Sequence, residues 1–344
     1  MKKSFVIGFL LLFPSLLMAQ DFTFSQFYET PLLRNPALAG IFNGNVRFQS
    51  AFRSQWSSVS VPYQTQSLSG EVTFPLFNSN DLLTAGVQVT NDVAGDSKLG
   101  RIQLLPVISF HKAFNDETSY LTIAFMGGLI QSRFDPTRLK FDDQFQNGAF
   151  SESNPTQAVF DRTNITYADA STGLAFNGSL GDDHRFYTGV ACYHFLRSKA
   201  SFYDDDNLFL KKRFVANAGV NLRTGDLDHT LIYGDYIVQG GNRQFLAGIL
   251  YKHILKSYIS YNDFPDDISL VLGSAYRWGD AIIPVAKLEM KDFSFGASYD
   301  INISKLAKAS RNMGGFEFTL SYLSTLKSIL PREYKGEIGC PVRF

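Results

Sequence analysis

From residue 45 almost to its end, the chain alternates apolar and polar side chains with a period of two, in one segment after another. Over residues 213–223 one face carries Phe214, Ala216, Ala218, Val220 and Leu222. The opposite face carries Arg213, Val215, Asn217, Gly219, Asn221 and Arg223. Over 293–303 the apolar set is Phe293, Phe295, Ala297, Tyr299, Ile301 and Ile303, against Ser294, Gly296, Ser298, Asp300 and Asn302. Over 316–322 it is Phe316, Phe318, Leu320 and Tyr322, against Glu317, Thr319 and Ser321. A helix cannot keep such sets on separate faces, whereas a strand with one greasy and one wet surface does so by geometry.

Comparable segments occupy 45–53, 63–74, 82–91, 100–112, 119–132, 167–178, 184–195, 229–239, 242–254, 268–278 and 281–291. With the three above they make about fourteen, an even number as single-chain bacterial barrels require. Several are long enough for a tilted strand to cross hydrocarbon and longer than the strands typical of globular sheets. Breakers such as Gly181-Asp182-Asp183, Thr224-Gly225-Asp226 and Gly240-Gly241-Asn242 separate them. The pattern predicts an all-β fold, a transmembrane antiparallel β-barrel over 45–324. If the first strand starts in the periplasm, the two longest gaps, 133–166 and 196–211, fall on the outer side, where barrels keep long loops. The connection 255–267 then lies on the periplasmic side and is long for a turn.

The ends of the chain change the picture. Lys2 and Lys3 precede an apolar run from Ser4 to Met18, with Ala19 as the small residue at a cleavage site. This reads as an export signal over 1–19, too short and wrongly flanked for a spanning helix. Next comes a segment, 20–44, rich in apolar and aromatic residues, in which Pro31 and Pro36 prevent a long helix. Left in water it would expose Phe22, Phe24, Phe27, Tyr28, Leu32 and Leu33, so it covers the lumen as a plug, meets a periplasmic partner, or meets a threaded substrate tail. A C-terminal tail over 325–344 contains Pro341, which breaks any last strand.

Composition agrees. Aromatic residues make up 15% of the chain, with 32 Phe and 16 Tyr. Mean hydropathy is −0.06, as expected when lipid-facing and wet residues alternate. The 32 basic and 32 acidic residues balance, and loss of the two signal lysines leaves 30 − 32 = −2, which argues against nucleic acid as a partner. Two cysteines, Cys192 and Cys340, make no disulfide scaffold, and sequence alone cannot bring them together. A barrel of about fourteen strands encloses more room than its own side chains fill. The face expected to look inward carries Arg213, Asn217, Arg223, Arg277, Asp300 and Glu317, with Arg47, Arg53, Glu71, Asp169, Asp235, Lys287 and Glu289. Mixed charge of this kind reads as a self-paired, solvated interior or, more sharply, as a selective path.

Little in the chain asks for catalysis. The five histidines are scattered, none at helical metal-ligand spacing, and GxSxG, Walker and CxxC motifs are missing. The run Asp204-Asp205-Asp206-Asn207 reads as a solvated loop tip or a calcium loop. Trp56, next to Gln55 and near Arg53, reads as a girdle anchor or part of a recognition surface. The expectation is a protein without enzymatic activity, bound metal or cofactor.

Several motifs, in order, carry a family likeness. Asp21 to Tyr28 includes Phe24-Ser25-Gln26 before an aromatic pair, and Asn35-Pro36-Ala37 leads to Gly40. Phe52-Arg53-Ser54-Gln55-Trp56, Asp92-Val93-Ala94-Gly95, Tyr276-Arg277-Trp278-Gly279-Asp280-Ala281, Ser298-Tyr299-Asp300 and Gly314-Gly315-Phe316-Glu317 follow, then Cys340-Pro341-Val342-Arg343-Phe344. In these the chain resembles the PorP/SprF family of type IX secretion. The resemblance implies an outer-membrane barrel that supports secretion and surface anchoring of a cognate adhesin-like substrate bearing a type B C-terminal sorting domain, with a link to gliding motility. It also implies periplasmic ring components of the machine and outer-membrane lipid as partners. On that likeness Phe24, Gln26, Tyr28, Asn35, Arg53, Gln55 and Trp56 are the candidate partner-binding residues. The alternative is an outer-membrane transporter of hydrophobic small molecules.

Overall fold

A computed structural model describes residues 21–326 apart from 58–60, 77–78, 115–118, 147, 152, 182, 204–207, 257–267 and 306. The signal, the run 204–207, most of the 255–267 connection, and the tail with Cys340 and its terminal motif lie outside the described residues. The strands are β1 (Val46–Gln55), β2 (Tyr63–Pro75), β3 (Leu82–Ala94), β4 (Leu99–Ala113) and β5 (Tyr120–Arg133). A small hairpin, β6 (Phe145–Gln146) with β7 (Ala149–Phe150), stands apart from the main sheet. Then follow β8 (Asn164–Leu180), β9 (His184–Tyr193), β10 (Arg213–Arg223), β11 (Asp228–Gln239) and β12 (Asn242–Lys256). The last are β13 (Ile268–Arg277), β14 (Ala281–Met290), β15 (Phe293–Asn302) and β16 (Met313–Ser324).

Apart from the hairpin, each strand pairs antiparallel with its neighbour in sequence, and β16 returns to β1 to close a barrel of fourteen strands. Every strand read from alternation is present, with ends that move by no more than three residues. Closure removes the sheet edges that would otherwise expose unpaired backbone groups to lipid. The closing register sets Phe52 opposite Phe318 and Arg53 opposite Glu317. Phe125, Phe214, Phe295 and Phe318 stand exposed on the outer wall, while their sequence neighbours turn inward and are buried. No helix among the described residues is long and apolar enough to cross a membrane; the strands have the length to do so.

Pro106 and Pro284 sit inside strands of a sheet without edges. At each the ladder skips: β4–β5 passes from Leu104↔Leu129 to Val107↔Met126, and β14–β15 from Ile282↔Ile301 to Val285↔Ser298. Proline has no N–H to give the ladder, and the outward side chains there leave the inner wall undisturbed.

The connections 134–163 and 194–212 leave the barrel at the same end, which the loop-length rule assigns to the cell surface. Residues 21–45 lie within the barrel, in contact with inward side chains of strands all around it.

Candidate functional site

The N-terminal segment runs the length of the lumen. Asp21 meets Arg101 and Gln239 at the outer end, and Ser25 and Gln26 meet β16. Arg34 meets β11, Gly40 meets Glu71 of β2, and Asn45 N–H reaches Ser324 O at the opposite end. The chain therefore starts at the outer mouth, descends, and turns into β1. Its form is local: Pro31 opens a single helical turn, Pro31–Arg34, and Pro36 a 3₁₀ turn, Pro36–Leu38. The Asn35 side chain caps the second by accepting from Ala37 N at 2.9 Å.

The family-like motifs, far apart in sequence, meet in one network on the outer half. The Glu317 carboxylate accepts from the backbone N–H groups of Ser25 and Gln26, both at 2.7 Å. The Gln26 amide donates to Glu317 O and accepts from the Thr319 hydroxyl. Arg277 donates to Ser25 Oγ at 2.7 Å and to Asp280 Oδ2 at 3.0 Å, and lies 3.1 Å from Asp300. Arg53 holds Asp300 at 2.8 Å and also donates to Thr23 O. Buried charges persist only when paired and hydrogen-bonded in this way.

Farther down, Arg34 forms a two-pronged pair with Asp235, 2.8 Å from Nε and 2.6 Å from Nη2, and donates to Tyr187 OH. Its guanidinium lies 5.0 Å from the Phe27 ring and 5.4 Å from that of Tyr187. Glu29 takes Lys287 at 2.5 Å and the Ser321 hydroxyl at 2.9 Å. The wall supplies glycine seats: a Cβ at Gly189 would meet the Asn35 amide at 2.6 Å, while at Gly173 and Gly296 it would overlap Asn35 and Gln26. Gly40, at φ +77°, approaches Thr84 and His111 so closely that no side chain fits.

One side of the wall departs from the expected wet interior. Val215, Leu231, Tyr233, Ile237, Leu246, Leu250 and Val271 face inward and are buried with Phe27 and Leu32 of the segment. Phe27 and Tyr28 pack against Tyr233 at 5.0 and 4.8 Å. Alternation reported the side of the sheet but not that part of the inner face is covered by apolar chain. Burial of each large side chain there is worth about 1.5–3 kcal/mol.

At the outer mouth the Asp21 carboxylate is clasped by Arg101 at 2.8 Å and His194 at 2.5 Å, with Arg213 at 3.9 Å. Burial opposes ionisation of Asp21, but Arg101, then His194 and Arg213, hold its carboxyl well below the usual range. Burial likewise opposes charge on His194, yet Asp21 and Asp169 push it up to about 9. Asp21 also lines a cleft of ≈ 270 Å³, together with Phe22, Thr23, Gln55, Trp56, Gln244, Arg277 and others. The buried Nε of Arg277 has no hydrogen-bond partner among the described residues.

Of the candidate partner-binding residues, Phe24, Gln26, Asn35 and Arg53 are buried in internal contacts, and Tyr28 is half-buried against the wall. Gln55 and Trp56 stand at the rim; Trp56 is 38% exposed and packs on Tyr63 at 5.0 Å. Arg213, Asn217, Arg277, Asp300 and Glu317 are buried inside the barrel. Arg223 is the exception. It has the inward register but ends β10 at the periplasmic rim, 40% exposed, paired with Asp183 in the neighbouring turn. Alternation does not show where a strand leaves the lumen. Alternation says nothing of Asp21, Glu29 and Arg34; their charge within an otherwise uncharged segment is the signal the sequence offers.

Ser109 and His111 do form a pair, at 3.0 Å, but both are buried, and Nδ1 is held by the Thr122 hydroxyl rather than a carboxylate. The segment covers them through Ala39 and Gly40, leaving no room for a substrate. No group of three or more His, Cys, Asp or Glu among the described residues is arranged to hold a metal ion.

Residues 17–322 match the family described as type IX secretion system membrane protein PorP/SprF. No curated protein matches the chain in sequence. Among solved structures, a FadL homologue of Pseudomonas aeruginosa is similar at 10% identity and TM-score 0.50, over 86% of this chain and 94% of that one. The Pseudomonas putida toluene transporter TodX follows at 9% identity and TM-score 0.47, over 85% and 91%. BamA from Haemophilus ducreyi follows at 9% and 0.40, over 81% and 70%. At such identities the likeness concerns the barrel fold alone.

Proposed function

The chain belongs to the PorP/SprF family of type IX secretion system membrane proteins, an outer-membrane β-barrel, and from that premise we propose that it is a closed docking platform rather than a conduit. In this reading it supports secretion of a cognate adhesin-like substrate, bearing a type B C-terminal sorting domain, and holds that substrate at the cell surface. The observation that carries it is the occupied lumen: the chain's own residues 21–45 run its length and are tied to the wall by the ion pairs of Asp21, Glu29 and Arg34 and by the bonds of Ser25 and Gln26 to Glu317. A polypeptide cannot share that space with the seated segment. Contact with the substrate then falls to the outer end, to the cleft at Trp56 and Gln55 and to the connections 134–163 and 194–212. The periplasmic rim, with Asp183, Arg223 and Asp228, is left for components of the secretion machine. The chemistry is binding, without a catalytic step.

A second reading, uptake of hydrophobic small molecules, draws on the fold likeness to the FadL homologue and on the apolar strip of the inner wall. Against it, Phe27, Tyr28 and Leu32 already cover that strip. Deleting residues 21–38 separates the two. On the docking reading the barrel still folds, shown by its heat-modifiable migration, but the cognate adhesin disappears from the surface. On the transport reading uptake of an apolar solute changes while display persists. Retention of both display and co-purification of the adhesin by a well-folded deletion would overturn the proposal.

A further inference from the structure

Asp21, at the start of the described N-terminal segment, holds the root of one long outer connection directly and reaches the root of the other through it. His194 is the first residue after β9 and begins the connection 194–212. Its Nε2 lies 2.5 Å from Asp21 Oδ2, and its Nδ1 2.7 Å from Asp169 Oδ2. Asp169 stands on β8, just past the connection 134–163. The two connections also grip each other: Arg162 N–H donates to Phe202 O at 3.2 Å, and the Phe134 ring packs on Phe160 at 5.0 Å and on Phe202 at 4.8 Å. Asp21 belongs to neither connection. Its other oxygen is held by Arg101 of β4, and its backbone N–H by the Gln239 side chain of β11.

We propose that Asp21 is a latch coupling the seating of the N-terminal segment to the closed packing of the two long outer loops, so that a polypeptide docking at the mouth and spreading the loops loosens the segment. The proposal rests on the docking reading and names its regulation. Spreading the loops draws His194 away from a carboxylate that is otherwise buried, leaving Asp21 with fewer partners for its charge. Coupling of this kind is reciprocal: if spread loops release Asp21, a released Asp21 must favour spread loops, whereas loosening of the segment around 31–38 with the Asp21 clasp intact does not. Asp169 already holds His194, so the loop root keeps one carboxylate partner whether or not Asp21 is present. Loosening of the loops after a change at Asp21 is therefore not a trivial loss of their own contacts.

The test is hydrogen exchange, read by mass spectrometry, on the purified full-length protein in detergent micelles. Asp21→Asn is expected to speed exchange about tenfold or more in residues 22–30 and in both 134–163 and 194–212, with β12 to β16 unchanged. Arg101→Gln weakens the hold on Asp21 from β4, outside both loops, and should act in the same direction; it also serves if Asp21→Asn does not fold. Asp235→Asn, which loosens the segment away from the mouth, should leave the loops as they were. Faster exchange confined to 22–30 would make Asp21 a local anchor and overturn the coupling, as would no change anywhere. Surface display of the adhesin is read separately. A latch that fails while deletion of 21–38 still abolishes display removes this inference and leaves the docking reading intact.

Discussion

Replacing Asp235 with alanine should unseat the middle of the N-terminal segment while leaving the barrel closed. Arg34 makes two hydrogen bonds to Asp235, at 2.8 and 2.6 Å, and both side chains are almost fully buried. Removing one member of such a pair strands a charge, which costs about 3–5 kcal/mol. The remaining bond from Arg34 to Tyr187 OH, at 2.6 Å, and the rings on either side do not replace a counter-charge. The seated state around 31–38 should therefore lose roughly a hundredfold to a few thousandfold in population relative to open forms. The barrel ladder makes no use of this pair, so heat-modifiable migration should persist. Conductance in planar bilayers should rise from a closed level to frequent open steps, and protease should reach the segment. The double variant Asp235→Leu with Arg34→Met removes both charges and should restore most of the closure, since apolar replacements of buried pairs are often neutral. Closed bilayers and full protection in Asp235→Ala would refute the reasoning. So would a double variant as leaky as the single.

Phe295→Arg sets a charge on the lipid face of β15 and should cost about 2–4 kcal/mol if near the midplane. Phe295→Leu should be tolerated, and equal yields of heat-modifiable protein from the two would contradict the outward assignment. Gly173→Ala should push Asn35 from its seat at a cost of about 1–3 kcal/mol, read as faster exchange in 31–40; wild-type protection would show that the seat is not needed. The His194 value of about 9 is raised above the ordinary one, so its contribution is complete below about pH 6.5 and is lost as pH rises through about 9. Protection of residues 21–26 should therefore fall between about pH 6.5 and 9. The fall should be missing in His194→Gln, where Asp21 keeps Arg101 and Arg213 and Asp169 faces a neutral amide. Identical pH profiles for the two proteins would remove His194 from the clasp.

The strand content was legible in the sequence because a barrel wall separates two phases. Phe214, Phe295 and Phe318 on one side and Arg213, Ser294 and Glu317 on the other follow from a two-residue period that is local to each strand. An even number of long alternating segments with no spanning helix leaves closure as the remaining way to satisfy the backbone in lipid. Also legible was that the apolar residues near Phe24 and Phe27 must cover something. What they cover was not, because the answer depends on contacts across hundreds of residues. Glu317 reaches Ser25 and Gln26, and Asp235 reaches Arg34, only once the wall has curved shut around the segment. Alternation assigns a residue to a face but is blind to depth, so it could not tell Arg277, buried beside Ser25, from Arg223, paired at the rim. It set Val215 on the inner face but could not show that Val215 and Leu246 belong to one greasy strip, since an apolar residue there reads as a lapse in the pattern until Phe27 and Leu32 lie against it. The sequence alone determined the wall. Only the tertiary structure decided that residues 21–45 lie against the inner wall, because that depends on which charges and glycines meet across the closed barrel.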